Sequence, residues 1–220
     1  SFEASPLLFE PGSGFAYTSL GYNALGGVIE AAGERPFTEH LQTRVFAPLR
    51  MRRTFLEDGA PRDDAAVFYE VEEGRYKKAF PVDNSNKFPS GGILSTPSDM
   101  VRLGGAMTGE TLFTLATRDL LVDPQELSDG TPNVQGYALG WRVNNAAKAL
   151  GGSVITKRYS HHGTAQGSTS YFAVYPRERV AISVMMNKGQ MSLDEMSEAV
   201  EPLIDIAFAG LAAPESADAR

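Results

Sequence analysis

The chain has 220 residues and no cysteine. That absence excludes disulfides, thiolate zinc sites, iron–sulfur ligation and a cysteine nucleophile together, so any nucleophile or metal site must be built from other side chains. Long apolar runs are also missing. A membrane helix requires about 20 such residues, and the run Val180–Met186 is short and ends at Asn187-Lys188-Gly189. Basic residues are the minority sign: 20 Lys and Arg against 27 Asp and Glu, so 20 − 27 gives a formal charge of −7. That balance weighs against a nucleic-acid partner that needs a basic face. The phosphate loop, the dinucleotide glycine fingerprint and the Gly-x-Ser-x-Gly elbow of α/β-hydrolases are absent as well. What is present is a globular composition, 42% hydrophobic and 21% charged, sufficient for one large domain or two small ones.

The first element follows the turn-rich stretch Glu10-Pro11-Gly12-Ser13-Gly14. Leu25, Val28 and Ala32 then fall at helical spacing until Gly33 supplies a stop, which predicts a helix over 20–32 with Tyr17, Thr18 and Ser19 on the turn before it. Phe37, Leu41 and Val45 repeat the pattern between Pro36 and Pro48. Residues 66–80, with Glu73-Gly74 between two short runs, read as a hairpin that stands off the core. Thr96-Pro97-Ser98-Asp99 is a helix start: a Thr cap, Pro at the first helical position and an acid at the third, with Met100, Leu103 and Met107 on one face. A further helix is expected over 112–121.

Beyond a loop rich in Asp, Pro and Gly the period changes from 3.6 to 2 over 137–143, 154–159, 169–175 and 180–186, which predicts four antiparallel strands. Leu193, Met196, Val200, Leu203 and Ala207 then define a closing helix kinked by Pro202. The order is α+β: a helical region over 1–135, an antiparallel sheet with its covering helix over 136–213, and a tail over 214–220. The sheet reads as incomplete, since the helical half places few apolar residues to close over its second face.

Three histidines exist. His40, beside Glu39 on a helix, reads as a surface residue. His161 and His162 are adjacent at a strand end, so their side chains leave on opposite faces and do not share a metal. Read from the residues alone, one is buried and hydrogen-bonded and the other exposed; Tyr17 is a core aromatic, Gly91-Gly92 a packing turn, Ser95 and Thr96 caps, and Gly163 a break in an edge strand.

Three stretches nevertheless resemble one family in order and spacing. Pro11-Gly12-x-x-Phe15-x-Tyr17-Thr18-Ser19-x-Gly21-Tyr22, leading to Pro48-Leu49-x-Met51, resembles the Tyr-x-Asn region of the serine beta-lactamase-related and penicillin-binding-protein-like proteins. Gly91-Gly92-Ile93-Leu94-Ser95-Thr96-x-x-Asp99 resembles their helix entry. Ser160-His161-His162-Gly163-x-x-x-Gly167-x-x-Ser170 resembles their His-x-Gly version of the Lys-Thr-Gly strand. The motif style is most similar to the peptidase-like branch that holds the mitochondrial serine beta-lactamase-like proteins and their bacterial relatives.

The resemblance implies a beta-lactamase/penicillin-binding-protein-like fold whose N-terminal part is absent from this chain, and a metal-free, cofactor-free acyl transfer to water through an acyl-serine. It assigns Tyr17 as the general base and acid, with its proton exchanged against a serine hydroxyl. His161 stands where the family has Lys, as a donor to the Tyr oxygen and the substrate carboxylate, and is titratable near neutral pH. His162 takes the Thr position, Gly163 admits substrate backbone to the strand, and the N–H of Thr164 is an oxyanion donor. Ser19 stands where the family has Asn, a departure that weighs against beta-lactam specificity. The acylated Ser of a Ser-x-x-Lys motif is not found: no Ser here is followed by Lys three residues on.

The expected partners are therefore a small-molecule or peptide substrate and an N-terminal segment bearing that motif, on the same or a separate chain, with self-association left open. Cysteine absence and family habit point to a bacterial periplasmic or secreted protein. Two other readings stand beside the hydrolase: a non-catalytic peptide-binding or self-assembling module, and a transacylase.

Overall fold

A computed structural model of the chain describes residues 5–60 and 62–212. The expected tail over 214–220 lies outside them.

Val180, Ile182 and Val184, alternating along one strand, turn to one face of a four-stranded antiparallel sheet, and Ala181 between them turns to the other. The sheet runs in the order β5 (Arg142–Ala149), β6 (Val154–Ala165), β7 (Ser168–Tyr175), β8 (Val180–Met186). Helix α6 (Leu193–Ala212) closes one face. Its Val200, Ile204 and Phe208 pack with Ala147, Ala149, Ala173, Tyr175 and Ile182. The expected stripe through Leu203 is corrected: Leu203 is 44% exposed, because the core-facing row through Val200 continues in steps of four.

The second face is not left open. Helix α4 (Pro97–Met107) covers it, with Met107, Met100 and Leu103 against Phe172, Val174 and Tyr159. Gly104 makes the close approach possible: a Cβ there would sit 2.4 Å from that of Ala181. Each large aliphatic or Phe side chain buried in these layers contributes roughly 1.5–3 kcal/mol. The cap expected at Thr96 is present, its hydroxyl accepting from Asp99 N–H at 3.2 Å. Asp99 is fully buried and accepts from Arg53 N–H (2.7 Å), the Thr54 hydroxyl (2.9 Å) and Arg102 (2.6 Å), tying the loop before β1 (Phe55–Leu56) to α4.

The helical region opens with α1 (Ser19–Gly33), capped by Thr18 and ended by Glu34 at φ 51°. That left-handed turn folds α2 (Phe37–Leu41) and its π-helical continuation Gln42–Phe46 back against α1. His40 is consequently half-buried, packed on Gly33 rather than on the surface as expected. Phe46, Leu49, Met51 and Ala106 form this region's core. Leu20, Leu25 and Val28 of α1 are 54%, 49% and 60% exposed.

The hairpin is β2 (Tyr69–Glu72) and β3 (Arg75–Lys78), turned by Glu73 and Gly74, both at positive φ. As expected it lies outside the core, with β3 exposed along its length, yet it is tied to the sheet. Tyr69 N–H donates to the Asn187 carbonyl at 3.1 Å, Gly189 N–H to the Tyr69 carbonyl at 2.9 Å, and Gly167 N–H to Glu70 at 2.5 Å, which docks the hairpin on the ends of β6, β7 and β8. After α3 (Phe88–Gly91), β4 (Ile93–Leu94) pairs with β1. Helix α5 (Leu115–Leu121) starts later than expected because Thr114 caps it.

The largest departure is at 137–143. Ala138 N–H donates to the Trp141 carbonyl across Gly140 at φ 87°, so these residues turn and the strand starts at Arg142. Among the described residues no helix is long and apolar enough to cross a membrane.

Candidate active site

Strand β6 outlasts its neighbour. Its last partner on β5 is Ser160, opposite Arg142, whereas pairing with β7 continues to Ala165. The stretch 161–165 therefore keeps one edge unpaired by β5, and His161, His162, Gly163 and Thr164 border a groove of about 850 Å³. Tyr17 and Ser19 enter the same groove from the start of α1, and Ser95 and Thr96 from the start of α4. Residues far apart in the chain thus converge.

The Thr18 cap sets the direction of Tyr17: Thr18 is extended at φ −145°, and its hydroxyl accepts from Gly21 N–H at 3.2 Å. The Tyr17 ring is half exposed, 6.0 Å from the His161 ring and 5.7 Å, edge-on, from that of Tyr137. The Arg142 guanidinium lies 5.6 Å from the Tyr17 centroid and 5.5 Å from that of Tyr137.

His161 makes two side-chain hydrogen bonds. Its Nδ1 is 2.7 Å from the His162 carbonyl, and a carbonyl only accepts, so Nδ1 carries the proton. In the neutral ring Nε2 is then a lone pair, and it accepts from the Tyr137 hydroxyl at 3.0 Å. The donor expected for Tyr17 is thus turned to Tyr137 instead. Burial holds the His161 pKa below its ordinary 6.5, and the Arg142 and His162 charges push the same way, against the raising effect of the His162 carbonyl. His162 is lowered too, by burial and then Arg142. Burial first, with Tyr22 and Tyr17 adding, pushes the Tyr137 phenol well up, so it stays protonated as the donor.

Register sets His161 opposite Phe172, on the α4 face, and His162 opposite Tyr171, on the α6 face, in line with their alternation. Both still border the groove, with ring centroids 6.0 Å apart, as His161 turns back to the His162 carbonyl. At Gly163 a Cβ would meet the Ser170 hydroxyl at 3.0 Å, so glycine keeps this edge low. Across the groove Thr54 gives its one proton to Asp99, so the 2.8 Å contact with Ser95 is donated by Ser95.

The family model described as Beta-lactamase matches residues 1–201. The chain belongs to the beta-lactamase family. It is 32% identical over 198 residues to the mitochondrial serine beta-lactamase-like protein LACTB of Bos taurus, a match covering 80% of this chain and 35% of that protein. In fold it is similar to a penicillin-binding protein from Bacillus halodurans, with TM-score 0.72, 26% identity, and coverage of 90% of this chain and 59% of that one. A D-stereospecific amidohydrolase from Streptomyces sp. superposes at TM-score 0.72 and 20% identity, covering 88% of this chain and 56% of that one. The chain spans about a third of the length of the curated relative it matches.

Sequence reasoning missed Tyr137 and Arg142 beside this groove. Asn133 is the signal that could have found Tyr137. Its buried amide donates to the Tyr137 and Gln125 carbonyls at 2.8 and 2.7 Å and its oxygen accepts from Tyr137 N–H at 2.9 Å. That arrangement is a loop clamp, not a strand.

Proposed function

We propose that this chain carries two walls of a serine hydrolase active site of the peptidase or esterase type, and that the acylated serine comes from outside these 220 residues. The observation that carries the reading is the convergence of Tyr17 with the open edge at His161–Thr164 on one groove. Membership of the family supports the reaction class, and the absence of Ser-x-x-Lys supports an external nucleophile.

In this reading the Tyr17 oxygen takes the serine proton as the serine oxygen attacks the acyl carbon. The oxyanion is held by Thr164 N–H and the N–H of the serine itself, and Gly163 lets substrate backbone lie along β6. Tyr17 returns the proton to the leaving group as the carbon–heteroatom bond breaks. Water then attacks the acyl-serine and yields its proton to Tyr17, which passes it to the serine oxygen as the acyl–serine bond breaks. His161, neutral and held by Tyr137, shapes the wall beside Tyr17 and contributes no fixed charge. Ser19 is shorter than the Asn it replaces and leaves room for an ester or peptide acyl group.

The test is Tyr17→Phe in the protein as its gene encodes it, with a simple chromogenic ester. Turnover falls roughly 10²–10⁴-fold at unchanged melting temperature, the usual contribution of positioned acid–base catalysis. Equal turnover at equal stability overturns the role of Tyr17. A folded protein that turns over no ester and forms no acyl adduct favours the peptide-binding module.

A further inference from the structure

The groove continues past the candidate catalytic wall. A second lobe of about 410 Å³ shares Arg62, Phe68, Leu94 and Ser168 with the first and runs on towards Phe80 and Lys78. Phe68, Ile93 and Leu94 make the shared stretch largely apolar, with Phe55 beside it in the first lobe, and Arg62 is the charged group within it. Its guanidinium lies 4.3 Å from the Phe55 ring centroid, and an arginine stacked on a ring keeps its N–H fork free for a planar acceptor.

That fork has little else to satisfy it. Among the described residues it makes no hydrogen bond, and its ion pair is a 4.0 Å approach to Asp58, whose side chain is 53% exposed. Such exposed, long pairs contribute little. The groove's other arginine, Arg53, is held by Asp64 at 3.2 Å. His161 has its nitrogens taken by Tyr137 and the His162 carbonyl. Lowered pKa values leave both histidines uncharged at neutral pH.

We propose that Arg62 is a specificity residue that binds a carboxylate at the far end of the acyl group, so the substrates are acyl compounds with a short apolar stem and a terminal acid. This rests on the hydrolase reading for the groove's role. The apolar walls take the stem, and the guanidinium on Phe55 takes the acid in a bidentate contact.

The experiment compares two five-carbon acyl esters on the protein as encoded: 4-nitrophenyl hydrogen glutarate, which ends in a carboxylate, and 4-nitrophenyl valerate, which ends in a methyl. The ratio of their kcat/KM values falls roughly 10- to 100-fold in Arg62→Gln, chiefly through KM for the glutarate, as expected for loss of a charged hydrogen-bonded contact. Arg62→Lys restores part of it, since the charge remains and the fork does not. An unchanged ratio in Arg62→Gln overturns the inference. If the wild type hydrolyses neither ester, the hydrolase reading fails only if no acyl adduct forms either, and calorimetric titration with glutarate decides the site alone. Binding lost in Arg62→Gln supports it, and binding absent or equal in both proteins overturns it.

Discussion

Tyr137 donates its hydroxyl proton to Nε2 of His161 across 3.0 Å, joining residues 24 apart in sequence. The bond fixes a neutral histidine as an acceptor on one nitrogen and, through the His162 carbonyl, a donor on the other. A position that the family resemblance reads as a titratable donor is therefore an uncharged, oriented ring.

Tyr137→Phe removes that donor. A hydrogen bond to the neutral ring favours the neutral form, so its loss raises the His161 pKa towards the ordinary 6.5, while the Nδ1 bond to the His162 carbonyl persists. Nitrogen-15 NMR of the histidine rings across a pH series checks both points. A pKa that falls or stays fixed contradicts the assignment of Tyr137 as donor.

Stability should fall on mild acidification. The folded pKa values of His161 and His162 lie below the unfolded 6.5, so as pH drops through 6.5 towards them the unfolded chain takes up protons that the folded chain refuses. The stability is fully present above that window. The groups facing His161 are Tyr17, Tyr137, Arg142 and His162, and none of them is an acid that would rescue its charged form. Urea midpoints at pH 7.5, 6.5 and 5.5 should fall in sequence, with a shallower fall in His161→Gln. Equal slopes in the two proteins would remove His161 as a cause.

Gly167 sits at φ 67°, and a Cβ there would lie 2.7 Å from the Ala79 Cβ and 2.8 Å from the Tyr69 nitrogen. Gly167→Ala thus adds backbone strain and a clash with the docked hairpin, at a cost of about 1–3 kcal/mol. Denaturant melts with hydrogen exchange over 69–78 measure it. Faster exchange confined to the hairpin is expected, and wild-type exchange would mean that the hairpin is not held there.

Local chemistry was legible where one residue's partners lie within a turn of it. Thr96, Pro97 and Asp99 announced α4, Gly33 the end of α1, and the alternation from Val180 the strand β8. Tyr17 and the His161–Thr164 edge were legible through their motifs, and they do share a groove. Tyr137 was not, because Ala138 and Leu139 beside it mimic strand alternation while the Asn133 clamp and Gly140 impose a turn. Nor was the closing of the sheet's second face, which depends on Gly104 admitting Ala181 rather than on a wide apolar stripe. Arg62 carried no signal, since its stacking on Phe55 is a side-chain contact that no local pattern marks.

The central claim is an acyl-serine site whose nucleophile lies beyond this chain while Tyr17 serves it. The most direct measurement is to label the protein as encoded with a fluorophosphonate, then locate the modified serine by peptide mass spectrometry in wild type and Tyr17→Phe. The account predicts one adduct, on a serine followed three residues later by lysine and outside these 220 residues, formed much more slowly in Tyr17→Phe. An adduct on a serine of this chain, such as Ser95, or equal labelling rates in the two proteins, would contradict it.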